Sequence, residues 1–95
     1  MIISEYALLV AELKLLELEK YVGETLALTE KRETNYGWCF FYQSDEYLRT
    51  NNISYALAGN APFFVNNIDG SITEFGTAHP VEYYIEQYES SLVNK

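Results

Sequence analysis

The sequence has few of the residues that build covalent cross-links and metal sites. Its 95 residues include one cysteine, Cys39, and one histidine, His79. A single cysteine cannot form an intramolecular disulfide, and one cysteine with one histidine does not supply the ligands of a zinc site. We therefore expect a protein from a reducing compartment that binds no metal and no cofactor.

Basic residues and long apolar runs are also scarce. Six basic residues against fourteen acidic ones give a formal charge of -8. Such a charge repels nucleic acid and anionic lipid and attracts a basic protein, although it could also serve solubility alone. The N-terminal apolar run is interrupted by charges, and the opening Met-Ile-Ile-Ser-Glu has no basic n-region. We expect a cytoplasmic protein with neither nucleic acid nor membrane as partner.

The N-terminal third of the chain predicts a helix. With 48% hydrophobic residues, residues 1–95 have the composition of one globular domain. Residues 4–22 lack Gly and Pro, Ser4 is placed to cap the helix, and Gly23 to end it. The predicted core face consists of Ala7, Leu8, Ala11, Leu15, Leu18 and Val22. A second apolar sector consists of Tyr6, Leu9, Val10, Leu13, Leu16 and Tyr21. We expect another element of the chain to cover this sector, with a partner as the alternative.

Alternating patterns after this helix predict four strands. The first starts near Leu26 and becomes polar from Glu30. The second, residues 36–43, is apolar on both faces at its centre, so we expect a central strand covered on both sides. Residues 63–66 and 71–75 form the last two strands, joined by a glycine-containing turn. The polar segment 44–52, between the second and third strands, is predicted as a loop with a short edge strand.

The end of the chain predicts a second helix. Pro80 suits its first turn, and Val81, Tyr84, Ile85, Tyr88 and Leu92 make an apolar stripe. We expect Glu82, Glu86 and Glu89 to share its outward face without a cation in reach. The predicted fold class is α+β, with an N-terminal helix packed on a four-stranded, mainly antiparallel sheet and a short C-terminal helix.

Four motifs in the second two-thirds of the chain carry a family resemblance. They are Gly37–Ser44, Leu57–Pro62, Asp69–Gly70 and Gly76–Ile85. In this order and at these separations they resemble the immunity protein 35 family, which includes YrhB-domain proteins, and the resemblance covers nearly the whole chain. It implies a bacterial immunity protein of a polymorphic toxin system. Such a protein binds a cognate toxin and blocks its active site or substrate path without being an enzyme.

Nine tyrosines and the acidic residues suggest where a partner binds, since tyrosine is enriched in protein interfaces. The candidate contact residues were chosen for expected exposure and charge, not from a family motif. They are Asp45, Glu46, Tyr47, Tyr55, Glu82, Tyr83, Glu86 and Glu89. The alternative for each residue is an ordinary solvated surface.

Two other classes of function compete with a toxin inhibitor. A small chaperone-like or oligomeric binding module, including a homodimer, would use the same second apolar sector. An enzyme would have to use Cys39 and His79, the only nucleophile and base pair of this kind in the chain. The sequence shows no orienting group or preorganised donor site for that pair, so we do not expect an enzyme.

Overall fold

The α+β fold predicted from the sequence is confirmed. A computed structural model describes residues 1–57 and 60–93. The elements are, in order, helix α1 (Ser4–Val22), strands β1 (Leu26–Thr34) and β2 (Gly37–Ser44), helix α2 (Asp45–Thr50), a 3-10 turn (Ile53–Tyr55), strands β3 (Phe63–Asn66) and β4 (Ile72–Glu74), and helix α3 (Val81–Val93). Ala58 and Gly59, which belong to the Leu57–Pro62 motif, lie outside the described residues.

The four strands form one antiparallel sheet in the order β1-β2-β3-β4, with a helix on each face. The α1 side holds the larger apolar cluster, made of Ala7, Ala11, Leu15, Leu26, Trp38, Phe40, Phe63 and Val65. The α3 side holds a smaller one, in which Cys39, Phe64 and Phe75 pack against Val81, Tyr84, Ile85 and Tyr88. The sheet is therefore the middle layer of three.

Strand β2 is covered on both sides, as its sequence predicted. Trp38 and Phe40 belong to the α1 cluster, and Cys39 between them belongs to the α3 cluster. All three are buried because successive side chains of a strand point to opposite faces of the sheet. Phe40 stacks on Phe63 of the neighbouring strand, with ring centroids 5.7 Å apart.

Gly37 is required where β2 begins. Its φ is +153°, and a Cβ atom there would meet the carbonyl oxygen of Val65 and, at 2.8 Å, the ring of Phe64. Tyr36 lies in the turn just before it and packs on the α3 cluster, not on the side of Trp38. The predicted alternation therefore starts at residue 37 and not at residue 36.

The ends of α1 match the sequence at one end only. Gly23 adopts a left-handed φ of 82°, and its N–H donates to the carbonyl of Glu19 at 2.8 Å, which confirms the predicted stop. The predicted cap was wrong, because α1 begins at Ser4 itself and Ile3 precedes it without a side-chain cap. The Ser4 hydroxyl instead accepts a hydrogen bond of 2.8 Å from Lys31 Nζ, which links α1 to β1.

The segment predicted as a loop with an edge strand is helical. Ser44 is buried and caps α2, with its hydroxyl oxygen accepting from the N–H of Tyr47 at 3.3 Å. Acidic residues in the first turn and Arg49 in the last favour this short helix through its dipole and through ion pairs. The segment was predicted as non-helical from its polar composition, and the capping serine at its start stabilises a helix instead.

The hairpin between β3 and β4 has the turn that its sequence predicted. Gly70 has a φ of 74°, and its N–H donates to the carbonyl of Asn66 at 2.9 Å. The Asp69 carboxylate accepts a bond of 2.9 Å from the N–H of Ser71, which lowers the pKa of that carboxyl. This turn fixes the register of the two strands.

Candidate protein-interaction surfaces

The thiol of Cys39 is sealed inside the molecule. Its residue has no exposed surface, and burial raises the pKa of the thiol to about 12. His79 is exposed, and its ring lies tilted against the ring of Tyr83, with centroids 4.1 Å apart. A nucleophile must reach substrate as a thiolate, and this thiol is neither ionised at neutral pH nor accessible.

Within residues 1–57 and 60–93, no three His, Cys, Asp or Glu side chains are grouped so as to hold a metal ion. Over the same residues, no helix combines the length and the apolar character needed to cross a bilayer.

The eight predicted contact residues fall into two separate groups. The α2 group consists of Asp45, Glu46 and Tyr47 on α2 with Tyr55 in the 3-10 turn, and the α3 group consists of Glu82, Tyr83, Glu86 and Glu89. Helix α2 begins beside the loop that follows α1, where the N–H of Asp45 donates to the carbonyl of Thr25 at 3.0 Å. Helix α3 instead packs across the opposite face of the sheet from α1.

The charges of the α2 group are partly compensated. Arg49 Nε lies 3.1 Å from Asp45 Oδ2, and the same guanidinium pairs with Glu46. Tyr47 is half-buried, whereas Tyr55 is 44% exposed. Tyr55 is therefore the member of this group with the most surface to offer a partner.

The expectation that the α3 glutamates have no cation in reach was wrong for Glu82. Arg32 on β1 places its guanidinium 3.2 Å from Glu82 and 3.2 Å from Glu30. The same guanidinium carbon lies 5.2 Å from the centre of the Phe41 ring, which holds it on this face. Fifty residues separate Arg32 from Glu82, so only the tertiary structure brings them together.

The other two glutamates of α3 differ from each other. Glu86 is exposed and forms no ion pair with the described residues, as the sequence led us to expect. Glu89 is not on the outward face, because it is half-buried and one of its carboxylate oxygens is fully covered without a hydrogen-bond partner in the described chain. It lines a groove beside Tyr36 and Ile85.

The second apolar sector of α1 is uncovered by the described residues. Its members other than Val10 are between 51% and 83% exposed, namely Tyr6, Leu9, Leu13, Leu16 and Tyr21. The expectation that another element of the chain covers this sector was therefore wrong. Of its six members, only Val10 packs against the core.

The core face of α1 is also rotated from the predicted one. Leu8 and Val22 are 42% and 41% exposed, while Lys14 takes a place near the sheet with a side chain only 12% exposed. Lys14 Nζ lies 2.8 Å from Glu74 on β4 and 3.1 Å from Glu17, and the Glu74 hydrogen bond raises the pKa of the lysine. The methylene groups of a lysine can lie over apolar surface when its ammonium group is paired with carboxylates. The apolar pattern of the sequence does not predict this position for Lys14.

The exposed residues of this sector follow a spacing typical of helix packing. Tyr6, Leu9, Leu13 and Leu16 are spaced by three, four and three residues, the repeat by which one helix packs along another. The sequence predicts the sector as apolar, and the predicted contact residues lie elsewhere, on α2, the 3-10 turn and α3.

Two comparisons with known proteins give matches to this chain. The family model of Immunity protein 35 matches residues 7–91. The uncharacterized protein YrhB of Escherichia coli (strain K12) is 43% identical over 53 residues, which is 56% of this chain and 56% of YrhB. The chain thus spans little more than half the length of this relative in the alignment. No solved structure matches the chain significantly. Because the family match extends over most of its length, this protein belongs to the immunity protein 35 family.

Proposed function

We propose that this protein neutralises a cognate toxin by binding it and blocking its active site or substrate path. The observation that carries the proposal is the family match over residues 7–91, since immunity proteins protect the cell from a toxin. The buried thiol of Cys39 supports an inhibitor that acts by binding and not by catalysis. In this proposal, residues 1–95 act as one cytoplasmic domain.

The charge of the protein supports a basic partner. A formal charge of -8 accelerates the encounter with a positively charged toxin, and salt should weaken this effect. A specific complex buries on the order of 800 Å² per partner. Because α1 and α3 lie on opposite faces of the sheet, one interface of that size contains either α1 or α3. The face outside the interface acts on the toxin only through its electrostatic field.

The eight candidate contact residues enter the proposal in two roles. The α2 group lies at the end of the sheet near the loop after α1, so it can share an interface with α1. Glu86 and Tyr83 of the α3 group are exposed on the other face. They contact the toxin if it covers α3, and if it covers α1 only the charge of Glu86 acts, by steering. Glu82 contributes less charge than its sequence suggests because Arg32 is paired with it.

Co-expression tests the proposal. The chain is expressed together with the toxin domain encoded by the neighbouring gene, and growth and complex formation are measured. We expect growth to be rescued and a stable complex to be purified. A Cys39→Ser/His79→Ala variant should rescue equally, since neither residue acts chemically. Failure of every adjacent toxin candidate to bind, or loss of rescue in a correctly folded double variant, contradicts the proposal.

The exposed apolar sector of α1 favours one other function, a chaperone-like binding module. Such a module binds unfolded clients of many kinds through exposed apolar surface. Heat-aggregation assays with unrelated client proteins distinguish the two, because an inhibitor with one target leaves their aggregation unchanged. Suppression of aggregation for several clients would favour the chaperone-like function.

A further inference from the structure

An apolar groove runs between α1 and the edge strand of the sheet. We define this α1–β1 groove by six of its apolar lining residues, which are Leu8, Leu9, Leu13 and Leu16 from α1 with Leu26 and Leu28 from β1. Leu15 and Leu26 are buried at the base, and the four α1 residues of the definition are 42% to 59% exposed. Glu12 and Glu19 also line the groove. The groove is therefore leucine-rich with carboxylates at its side.

The edge of β1 is poorly suited to pairing with a strand of a partner. The N–H of Leu26 already donates to the Glu19 carboxylate at 2.7 Å. A bulge between Leu28 and Glu30 interrupts the strand, and the four residues from Glu30 onward are all charged. Occupied donors, bulges and charges are the features by which edge strands resist pairing. An occupant of the groove is for this reason not an added strand.

The α1 wall of the groove is suited to a helix. Leu9, Leu13 and Leu16 of the groove are exposed, and together with the exposed Tyr6, which lies outside the groove lining, they follow the three-four spacing of a helix-packing seam. At 1.5 Å per residue the seam is about 15 Å long, which corresponds to nearly three turns of a facing helix. A helix laid along it would contact residues from two to three of its own turns.

The charges beside the seam select the kind of helix. Glu5, Glu12 and Glu19 recur at seven-residue intervals, which places them on one side of the seam. Among the described residues, Glu5 and Glu12 take part in no ion pair. In an antiparallel symmetric pair of copies this acidic side would face its own equivalent, and each copy carries a formal charge of -8. A basic partner satisfies the charges that a second copy would oppose.

We propose that the α1–β1 groove binds an amphipathic helix of a protein partner, with apolar residues against the leucines and Lys or Arg residues beside Glu5 and Glu12. This inference rests on the proposed function, in which the helix belongs to the toxin. Apolar contacts supply the affinity, and the glutamates orient the helix and exclude acidic competitors.

Two synthetic helical peptides test the groove directly. Both carry the same leucine seam, one with Lys at the flanking positions and one with Glu. Binding is measured by fluorescence anisotropy at physiological salt. We expect the Lys-flanked peptide to bind and the Glu-flanked peptide to bind at least about tenfold more weakly. Equal binding of the two peptides, or binding of neither, overturns the proposal.

Matched variants separate the groove from the overall charge. Leu13→Gln/Leu16→Gln should weaken the Lys-flanked peptide on the order of 100-fold, because two buried leucine contacts are lost. The control Ile53→Gln/Ile68→Gln alters two exposed apolar residues outside the groove and should leave binding unchanged. Circular dichroism establishes that both variants fold. Equal losses in the two double variants overturn the proposal.

Charge reversal gives a second matched pair. Glu12→Lys at the groove should weaken the Lys-flanked peptide about tenfold and improve the Glu-flanked one. Glu33→Lys, an exposed residue at the far end of β1, changes the net charge by the same amount and should leave the preference unaltered. An equal effect of both reversals shows that overall charge alone attracts the peptide, and overturns the proposal.

The toxin links the groove to the proposed function. Both proposals are supported if the wild type and the Ile53→Gln/Ile68→Gln control rescue growth against the toxin and Leu13→Gln/Leu16→Gln does not. Rescue by all three proteins overturns the groove as the toxin site and leaves the proposed function intact. Absence of wild-type rescue with the peptide results as expected overturns the proposed function alone. The oligomeric state is measured by sedimentation. A dimer that forms in the wild type and is lost in Leu13→Gln/Leu16→Gln assigns the groove to a second copy and overturns the inference.

Discussion

A thiol reagent added to the native protein at pH 8 should leave Cys39 almost unlabelled. The thiol has no exposed surface, and burial raises its pKa from 9.0 to about 12. At pH 8 the thiolate fraction is then about 10⁻⁴ in the native state, against about 0.1 for the unfolded chain. Protonation alone slows labelling about 1000-fold, and burial slows it further because the reagent must wait for the structure to open.

The assay compares two rates. Absorbance of the released aromatic thiolate is followed with native protein and with protein unfolded in guanidinium chloride, and Cys39→Ser gives the background. We expect a ratio of at least about 1000 between the unfolded and native rates. Native labelling within tenfold of the unfolded rate would refute both the two-sided burial of β2 and the exclusion of Cys39 as an accessible nucleophile.

The same group predicts a pH dependence. Because the folded pKa lies above the unfolded one, the unfolded chain loses its thiol proton first as pH rises. The native state is therefore progressively disfavoured between about pH 9 and pH 12, and unaffected by this group below that range. Urea unfolding should show a steeper alkaline loss for wild type than for Cys39→Ala, while Lys14 and Tyr42, whose pKa values are also raised, titrate in both proteins.

Three further predictions concern packing and charge. Trp38→Ala should lower the free energy of unfolding by about 3–5 kcal/mol in urea titrations. Trp38→Phe should lower it much less, because the buried indole N–H has no hydrogen-bond partner in the described chain and none is lost. Equal losses of stability in the two variants would contradict this prediction. Gly37→Ala should destabilise by more than about 1 kcal/mol, since its Cβ meets backbone, and a neutral result would show that β3 shifts freely. Replacing Glu82, Glu86 and Glu89 by Gln should slow toxin association at low salt. Glu86 should contribute most, because Glu82 is paired with Arg32. Unchanged association kinetics across a salt series would exclude steering by α3.

The interpretation of these charge variants depends on the structure. Each of the three glutamates was assigned the same role from its place on a helix. Their different surroundings mean that Glu82→Gln also removes an ion pair, and Glu89→Gln alters a half-buried group. Single variants are therefore needed beside the triple one, with thermal unfolding as the control for stability.

Local chemistry was sufficient for much of the fold. A glycine that adopts a positive φ ends α1 at Gly23 and closes the β3–β4 turn at Gly70, and both were expected because only a residue without Cβ takes these conformations readily. The apolar character of β2 on both faces predicted its burial between two layers for a similar reason. Side chains alternate along a strand regardless of what covers them.

The family was identified from four motifs whose order and spacing are properties of the chain, and the family match confirms it. The candidate contact residues were less well determined. Three of the eight lie on a helix, α2, where the sequence predicts a loop with a short edge strand, because a polar segment of nine residues gives little periodic signal. The serine cap at Ser44 was the available signal.

The sequence by itself determined where α1 ends, which strands alternate and which side chains are apolar, because these depend on residues within a few positions of one another. Only the tertiary structure decided which apolar surface is covered. A four-stranded sheet accommodates one face of α1, so Ala7 and Ala11 are buried while Leu13 and Leu16 stay exposed. It also decided the pairing of Arg32 with Glu82, since the distance between residues fifty positions apart depends on the packing of α3 against the sheet.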